Sequence, residues 1–182
     1  MANTKRQLIP QGHLKEIFEY RDGHLYWKHD PHQNNVWNAQ HAGKRAGYLE
    51  PRLGYVIVCI NPNSRNGLDK PTNIGAHRLI YCLHNGVYPP QVDHINGDRA
   101  DNRIENLRAA EGHQNAANRR KQSTNTTGVP GVRLHRDGIY EARIQFAGKR
   151  HQIGSFKTLQ EASIAVEAAS KAIRGDWHRE TA

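Results

Sequence analysis

The sequence predicts an α+β protein built from small modules. Short runs that alternate apolar and polar residues indicate strands in both halves of the chain, and segments with helical spacing accompany them. The 182 residues are 36% hydrophobic with a mean hydropathy of −0.85, which favours several modest cores. We expect one domain at residues 1–118, a flexible linker at 119–127 and a second domain at 128–182.

The charge balance favours a polyanionic partner. Lys and Arg number 26 against 17 Asp and Glu, a formal net charge of +9, and nucleic acid is the commonest such partner, although ribosomal and membrane-surface proteins share this balance. Cys59 and Cys82 form no Cys-x-x-Cys pair, so free thiols are expected and no structural zinc is implied. No signal peptide or membrane span is apparent. We expect a cytoplasmic, non-secreted protein with no membrane contact and no obligate protein partner.

The amino-terminal region reads as a packing scaffold rich in strands. A helix is predicted over Gln11–Tyr20, a strand over His24–Trp27, and a hairpin from Gly47–Leu49 and Tyr55–Ile60. Polar loops are expected around Trp37, Asn38 and His41, and over Ser64–Asn73. The cations Lys44, Arg45 and Arg52 decorate the hairpin, where they either contact phosphates or are simply solvated.

A short helix and a strand lead into the most polar part of the chain. The pattern from His77 to Asn85 predicts a helix that Gly86 ends. Gln91 and Val92 then predict a strand, and Asp93 and His94 follow directly. If the strand continues through them, these two side chains point in different directions, so one can hold a metal while the other faces a water.

The segment from Val92 to Asn115 carries the residue types of a metal-dependent hydrolase. Asp93 offers a carboxylate oxygen and Asn115 an amide oxygen, ligands that suit Mg²⁺ or Mn²⁺. His94 is then free to act as a general base near neutral pH. Asn106 is placed to tie the loop back to the strand and to orient His94. The alternative is that these are ordinary turn and cap residues.

This segment strongly resembles the HNH nuclease family, on Asp93-His94, Asn106 and Asn115 and on the Ile-Asn-Gly-Asp and Asn-Leu-Arg runs. The resemblance is to the His-Asn-Asn variant of phage and intron homing endonucleases, and it implies a ββα-metal core at about residues 77–118. It also implies one divalent metal, held by Asp93 and Asn115. His77 resembles a residue of the lead-in helix, where it either contacts the scissile phosphate or packs at the helix start.

The linker begins with the basic run Arg119, Arg120 and Lys121, which either contacts DNA phosphates or is solvated. After it, Val132–His135, Tyr140–Phe146 and Arg150–Ile153 predict three antiparallel strands. Thr158 to Glu161 is a capping box that opens a helix ended by Gly175. The helix should cover an apolar sheet face expected to comprise Val132, Leu134, Ala142, Ile144, Phe146 and Ile153.

The opposite face of this sheet collects polar residues at alternate positions. Arg, Gln and His are the types that hydrogen-bond base edges when strands enter a major groove. The module resembles the ethylene-response-factor (APETALA-type) DNA-binding domain in Gly131-Val132-Arg133, Tyr140 to Ile144 and Ile153 to Phe156. By that resemblance, the candidate DNA-binding residues are Arg133, His135, Arg143, Gln145, Arg150 and Gln152.

Two classes of function remain open from the sequence. The first is a homing-type HNH endonuclease that uses Mg²⁺ or Mn²⁺ to cut double-stranded DNA at a site chosen by the carboxy-terminal module. The second is a DNA-binding regulator with an inactive nuclease domain. The set Asp93, His94, Asn106 and Asn115 favours the first, because an inactive enzyme has no chemical need to keep it.

Overall fold

The computed structural model describes residues 8–61, 68–112 and 126–177. The chain divides into two compact units, residues 1–109 and 110–182. The elements up to the division are α1 (Gln11–Ile17), β1 (Phe18–Arg21), β2 (His24–Trp27), α2 (Asn35–His41), β3 (Tyr48–Leu49), β4 (Val56–Ile60), β5 (Thr72–Gly75), α3 (Ala76–Asn85), β6 (Gln91–His94) and β7 (Leu107–Ala110). No helix in the described ranges is long and apolar enough to cross a membrane.

The first helix is shorter than predicted. It ends at Ile17, and Phe18 opens β1, which pairs antiparallel with β2 so that Phe18 lies opposite Trp27. The spacing of Leu14, Ile17 and Phe18 fits a helix, but Phe18 and Tyr20 are aromatic residues that favour a pleated surface. Pairing with the predicted strand His24–Trp27, which is confirmed, therefore decides the boundary.

The prediction of a polar loop around Trp37 is wrong, because this region forms the helix α2. The side chain of Asn34 caps it by accepting a hydrogen bond from the Trp37 backbone N–H at 2.7 Å. Asn38 is buried, and its side chain exchanges hydrogen bonds of 2.9 Å with both backbone groups of Asp30. The hydrogen bonds of the buried Asn38 side chain thus hold α2 in place, although this helix has no broad apolar stripe.

The predicted hairpin is confirmed as β3 and β4, which pair antiparallel. The strand β5 pairs with the other edge of β4, so Thr72 and Asn73 belong to a strand and not to the expected loop. The predicted helix before Gly86 is confirmed as α3, and Gly86 ends it in the left-handed conformation with φ 76°. It delivers the chain to β6, which pairs with β7.

The second unit is a three-stranded antiparallel sheet and a helix, as predicted. Its elements are β8 (Val132–Leu134), β9 (Tyr140–Phe146), β10 (Lys149–Phe156) and α4 (Leu159–Arg174), in the strand order β10-β9-β8. The capping box is present at both Thr158 and Glu161. Val132, Ala142, Ile144, Ala162 and Val166 form the buried core. Leu134, expected on the apolar face, is instead 46% exposed at the last position of β8.

Gly131 explains why a glycine opens the first strand of this unit. Its φ is +84°, and a Cβ there would lie 2.6 Å from the backbone oxygen of Arg143. Arg143 also donates its backbone N–H to the Gly131 carbonyl at 2.9 Å. Only a residue without a side chain lets the two backbones approach this closely.

We therefore expect Gly131→Ala to destabilise the second unit more than Gly138→Ala does. Gly138 also has a left-handed φ, +79°, but a Cβ there would meet nothing within 4 Å. The control should cost only backbone strain, about 1–2 kcal/mol, and Gly131→Ala should cost more because the backbone must also move. Urea unfolding followed by circular dichroism measures both. Equal losses would show that the close approach is unimportant.

Candidate active site

The strand β6 places Asp93 and His94 at its carboxyl end, and both are only 4% exposed. The Nε2 atom of His94 lies 3.0 Å from the Oδ1 atom of the buried Asn102. The amide of Asn102 is oriented by its Nδ2, which donates to the Ala100 carbonyl at 3.3 Å. Since Oδ1 can only accept, Nε2 of His94 must carry the proton. The lone pair of the neutral imidazole is then on Nδ1, the atom that can take a proton from water.

Asn106 holds the loop that carries Asn102, and it does so without contacting His94. Its Oδ1 accepts from the Asn96 backbone N–H at 3.0 Å, and its Nδ2 donates to the Asp101 carbonyl at 2.8 Å and to Asn96 Oδ1 at 3.1 Å. The expected tie between loop and strand is therefore made. The orientation of His94, which the sequence assigned to Asn106, comes from Asn102.

Two aromatic side chains stand beside the His94 ring. The ring of His77 lies 5.2 Å from that of His94, centroid to centroid. Tyr55 lies 5.0 Å from His77 and 6.0 Å from His94, and the Arg99 guanidinium covers the Tyr55 ring at 4.9 Å.

Burial, followed by the nearby His94 and Arg78, lowers the pKa of His77 to about 3. Burial also lowers the pKa of His94, against the opposing effect of its bond to Asn102. Both rings are therefore neutral near pH 7.

Asp93 meets a cation of the neighbouring strand. Its Oδ2 accepts from Nε of Arg108 at 3.0 Å and lies 2.9 Å from the Nη2 atom of the same guanidinium. The carboxylate has the hard oxygen that Mg²⁺ and Mn²⁺ prefer, and its nearly complete burial beside His94 fits a ligand. No group of three or more His, Cys, Asp or Glu side chains within the described ranges could hold a metal.

The remaining predicted residues divide into two groups. Asn115 and the basic run Arg119, Arg120 and Lys121 lie outside the described residues. In the second unit, the register places Arg143 opposite Gln152 and Gln145 opposite Arg150, and Arg133 opposite Glu141. The sheet therefore brings these side chains to the face opposite the buried Ala142 and Ile144.

Glu141 lies in the middle of this face and organises two of its members. Its carboxylate receives hydrogen bonds from Gln152 Nε2 at 2.9 Å and His135 Nε2 at 3.1 Å. These two contacts, with His135 first, lower the pKa of Glu141. Hydrogen bonds thus join His135, Glu141 and Gln152 on the polar face, and the charge of Arg143 also acts on the Glu141 carboxylate.

Sequence reasoning missed the roles of four residues at the first site: Asn102, Arg108, Tyr55 and Arg99. Asn102 was visible as a second amide in the Asn-rich loop, eight positions after His94. In the sequence, Arg108 was distinguished by its positive charge alone. It lies in β7, the strand that pairs with β6. Tyr55 and Arg99 are distant in sequence from one another, so their stacking could only come from the fold.

Comparison with known proteins supports a nuclease. Residues 75–117 match a family model described as HNH endonuclease, which spans α3, β6, the loop and β7. That range contains His77, Asp93, His94 and Asn106. No curated protein and no solved structure matches the chain.

The low pKa of His77 predicts an acid-sensitive fold. The pKa is about 3 in the folded protein and about 6.5 in an unfolded chain, so the unfolded state binds more protons between these pH values. The free energy of unfolding should therefore fall as the pH drops from about 6.5, by up to about 1.4 kcal/mol per pH unit for this one group.

His77→Gln should show a shallower fall in the free energy of unfolding over the same pH range, because the variant has no imidazole to protonate at this position. Urea titrations at several pH values from 4 to 8 measure the slope. His29→Gln, at an exposed position, is the matched control. Identical slopes in wild type and His77→Gln would contradict burial of a neutral His77.

Proposed function

We propose that this protein is a divalent-metal-dependent DNA endonuclease of the HNH type. The observation that carries the proposal is the buried His94, whose Nε2 is held by Asn102 so that Nδ1 carries the lone pair, and which follows the buried carboxylate of Asp93 directly in the sequence. An imidazole fixed in one tautomer and a hard oxygen ligand are two of the groups that metal-dependent phosphodiester hydrolysis uses.

In this mechanism His94 accepts a proton from the attacking water at Nδ1. Asp93 and Asn115 would hold the metal, which supplies charge stabilisation for the phosphorane and the leaving 3′-oxygen. Asn102 keeps the imidazole in one tautomer and one orientation. His77 stays neutral and packs against the His94 ring, which limits the directions that ring can adopt. Asn106 preserves the loop from which Asn102 projects.

The second unit is proposed to select the DNA site. Its polar face presents Arg133, His135, Arg143, Gln145, Arg150 and Gln152 on a twisted three-stranded sheet. Such a sheet fits the major groove of double-stranded DNA. The net charge of +9 supports binding to a polyanion. We propose the homing type on the sequence resemblance, with Arg119, Arg120 and Lys121 on phosphates.

A DNA-binding regulator without nuclease activity is the second candidate. One observation favours it, namely that Arg108 approaches Oδ2 of Asp93 with two guanidinium nitrogens. A permanent ion pair of this kind would compete with a metal for the carboxylate. The nuclease proposal requires that a divalent cation shares or displaces this contact.

The decisive experiment is cleavage of supercoiled plasmid in Mg²⁺, Mn²⁺ or EDTA. We expect nicked or linear product with metal and none with EDTA. His94→Ala should lower the rate about 100-fold to 10,000-fold, because the general base is lost, while DNA affinity in EDTA stays unchanged. His29→Ala, outside the site, is the control. Absence of cleavage by wild type in both metals would support the regulator, and wild-type rates in His94→Ala would remove His94 as the base.

The hydrogen bond between Asn102 and His94 predicts that removal of the Asn102 amide lowers the cleavage rate less than removal of His94 itself. Asn102→Ala keeps the imidazole but releases Nε2, so the cleavage rate should fall about 10-fold to 100-fold, less than in His94→Ala. Metal dependence should persist in this variant. A loss as large as that of His94→Ala, with an unchanged melting temperature, would indicate a role for Asn102 beyond orientation.

The polar face of the second unit predicts separable effects on affinity and specificity. Arg143→Ala should cost about 1–3 kcal/mol on the preferred site and less on unrelated DNA, since it is expected to read a base edge. Replacing Arg119, Arg120 and Lys121 should weaken both DNAs alike and make the salt slope shallower by about 0.9 per lost phosphate contact. Salt titrations of binding measure both quantities, with Arg136→Ala in the turn as control. Equal losses on both DNAs for Arg143→Ala would exclude base reading.

A further inference from the structure

The first unit contains a cavity, lined in part by aromatic side chains, that the proposed chemistry does not use. Its volume is about 540 Å³, and its walls include Trp27 at the end of β2, Trp37 and His41 of α2, and Tyr48 of β3. This volume lies within the range of small-molecule sites in proteins. The residues of the His94 site are not among its lining.

The aromatic wall is anchored on one side and accessible on the other. Trp27 packs against the buried Phe18 at 4.6 Å and meets Trp37 edge-on at 5.5 Å. Trp37 lies 4.8 Å from His41 with their planes 38° apart. The buried Asn38 bonds to Asp30 and fixes the helix that carries both rings. The wall is therefore rigid, and Tyr48 is 55% exposed at its edge.

A buried acceptor lies in the same cavity. The side chain of His13 is only 4% exposed, and its Nδ1 lies 3.2 Å from Oε2 of Glu16. Because a carboxylate accepts, Nδ1 donates, and in this tautomer Nε2 carries the lone pair. Nε2 is buried and has no hydrogen-bond partner in the described parts of the chain. A buried polar atom without a partner costs free energy that a ligand N–H group would recover.

Arg45 and Asp30 both line the cavity. The Asp30 carboxylate is buried, and its Oδ1 already accepts from the His32 backbone N–H at 2.9 Å, whereas Arg45 is exposed. An exposed arginine beside stacking rings suits a flat ring joined to a phosphate. The aromatic wall and the acceptor at His13 together suit a base, and the cation at Arg45 suits its phosphate.

We propose that this cavity binds a single unstacked nucleobase of the DNA strand. The inference rests on the proposed function in that it takes DNA as the substrate. The base stacks on Trp37, an N–H group of the base donates to His13 Nε2, and its phosphate lies near Arg45. Bases with an exocyclic amine or a ring N–H offer that donor.

The strand β4 sets the spacing between this cavity and the His94 site. Tyr55, which contacts His94, immediately precedes β4, and Asn61, which lines the cavity, follows it. An extended chain over these positions spans about 20 Å at about 3.3 Å per residue. That distance equals about six nucleotide steps along a strand. The captured base is therefore several positions from the bond that is cut.

The first test uses tryptophan fluorescence in EDTA, where no cleavage occurs. The chain has three Trp residues, and Trp177→Phe leaves only the two that line the cavity. Titration with dAMP, dGMP, dCMP and dTMP should quench the remaining fluorescence to saturation, whereas 2-deoxyribose 5-phosphate should have little effect. Equal quenching by the sugar phosphate, or none by any nucleotide, would overturn base binding.

The second test separates a base within DNA from a free nucleotide. We expect a duplex with one bulged base to bind better than the perfect duplex. Trp37→Leu should lose roughly ten-fold or more of that affinity, while the stacking-competent Trp37→Phe keeps most of it. Equal binding by both variants with unchanged melting temperatures would overturn the proposal, as would nucleotide binding without preference for the bulged duplex.

Cleavage measured on the same wild-type preparations keeps the two proposals apart. Base-dependent quenching and bulge preference in a protein that cuts no DNA would support the cavity and contradict the nuclease. Normal plasmid cleavage in a protein that shows neither binding effect would support the nuclease and overturn the cavity proposal.

Discussion

The geometry around His94 depends on the hydrogen bonds of the Asn106 side-chain amide. The loop between β6 and β7 contains little regular structure apart from one short 3₁₀ turn, Ile104–Asn106, so side chains must satisfy many of its backbone groups. Asn106 bonds to Asn96 and Asp101 and closes the loop from within. Closure carries Asn102 to His94, and this in turn decides which imidazole nitrogen bears the proton.

The parts of the fold that sequence predicted are those governed by local rules. The helix α3 has a periodic apolar face and a glycine stop at Gly86. The carboxy-terminal strands alternate apolar and polar residues over most of their length, and Thr158 and Glu161 form the capping box that begins the helix after them. The strand predicted at Gln91 and Val92 continues through Asp93 and His94 as β6. Local chemistry and local periodicity were sufficient for these elements.

The parts that sequence reasoning did not predict depend on contacts between distant residues. The helix α2 exists because Asn38 bonds to Asp30 and Trp37 packs on Trp27, neither of which gives an apolar periodicity. The strand β5 is polar and is defined by pairing with β4. Asn102 and Asn106 are the same residue type in the same loop, so the sequence does not distinguish their roles. In the folded loop, Asn102 bonds to the His94 imidazole and Asn106 bonds to the backbone.

The closed loop also affects how readily Asn96 deamidates. Asn96 precedes Gly97, a dipeptide prone to deamidation when the glycine nitrogen attacks the neighbouring side-chain carbonyl. Here the Gly97 N–H donates to the His94 carbonyl at 2.9 Å, so folding withholds the nucleophile. Asn96 Nδ2 also donates to Asp101 at 2.8 Å, and an aspartate at position 96 would set two carboxylates against each other. Protein that has spent time unfolded would thus refold with two carboxylates that repel each other in the loop beside His94.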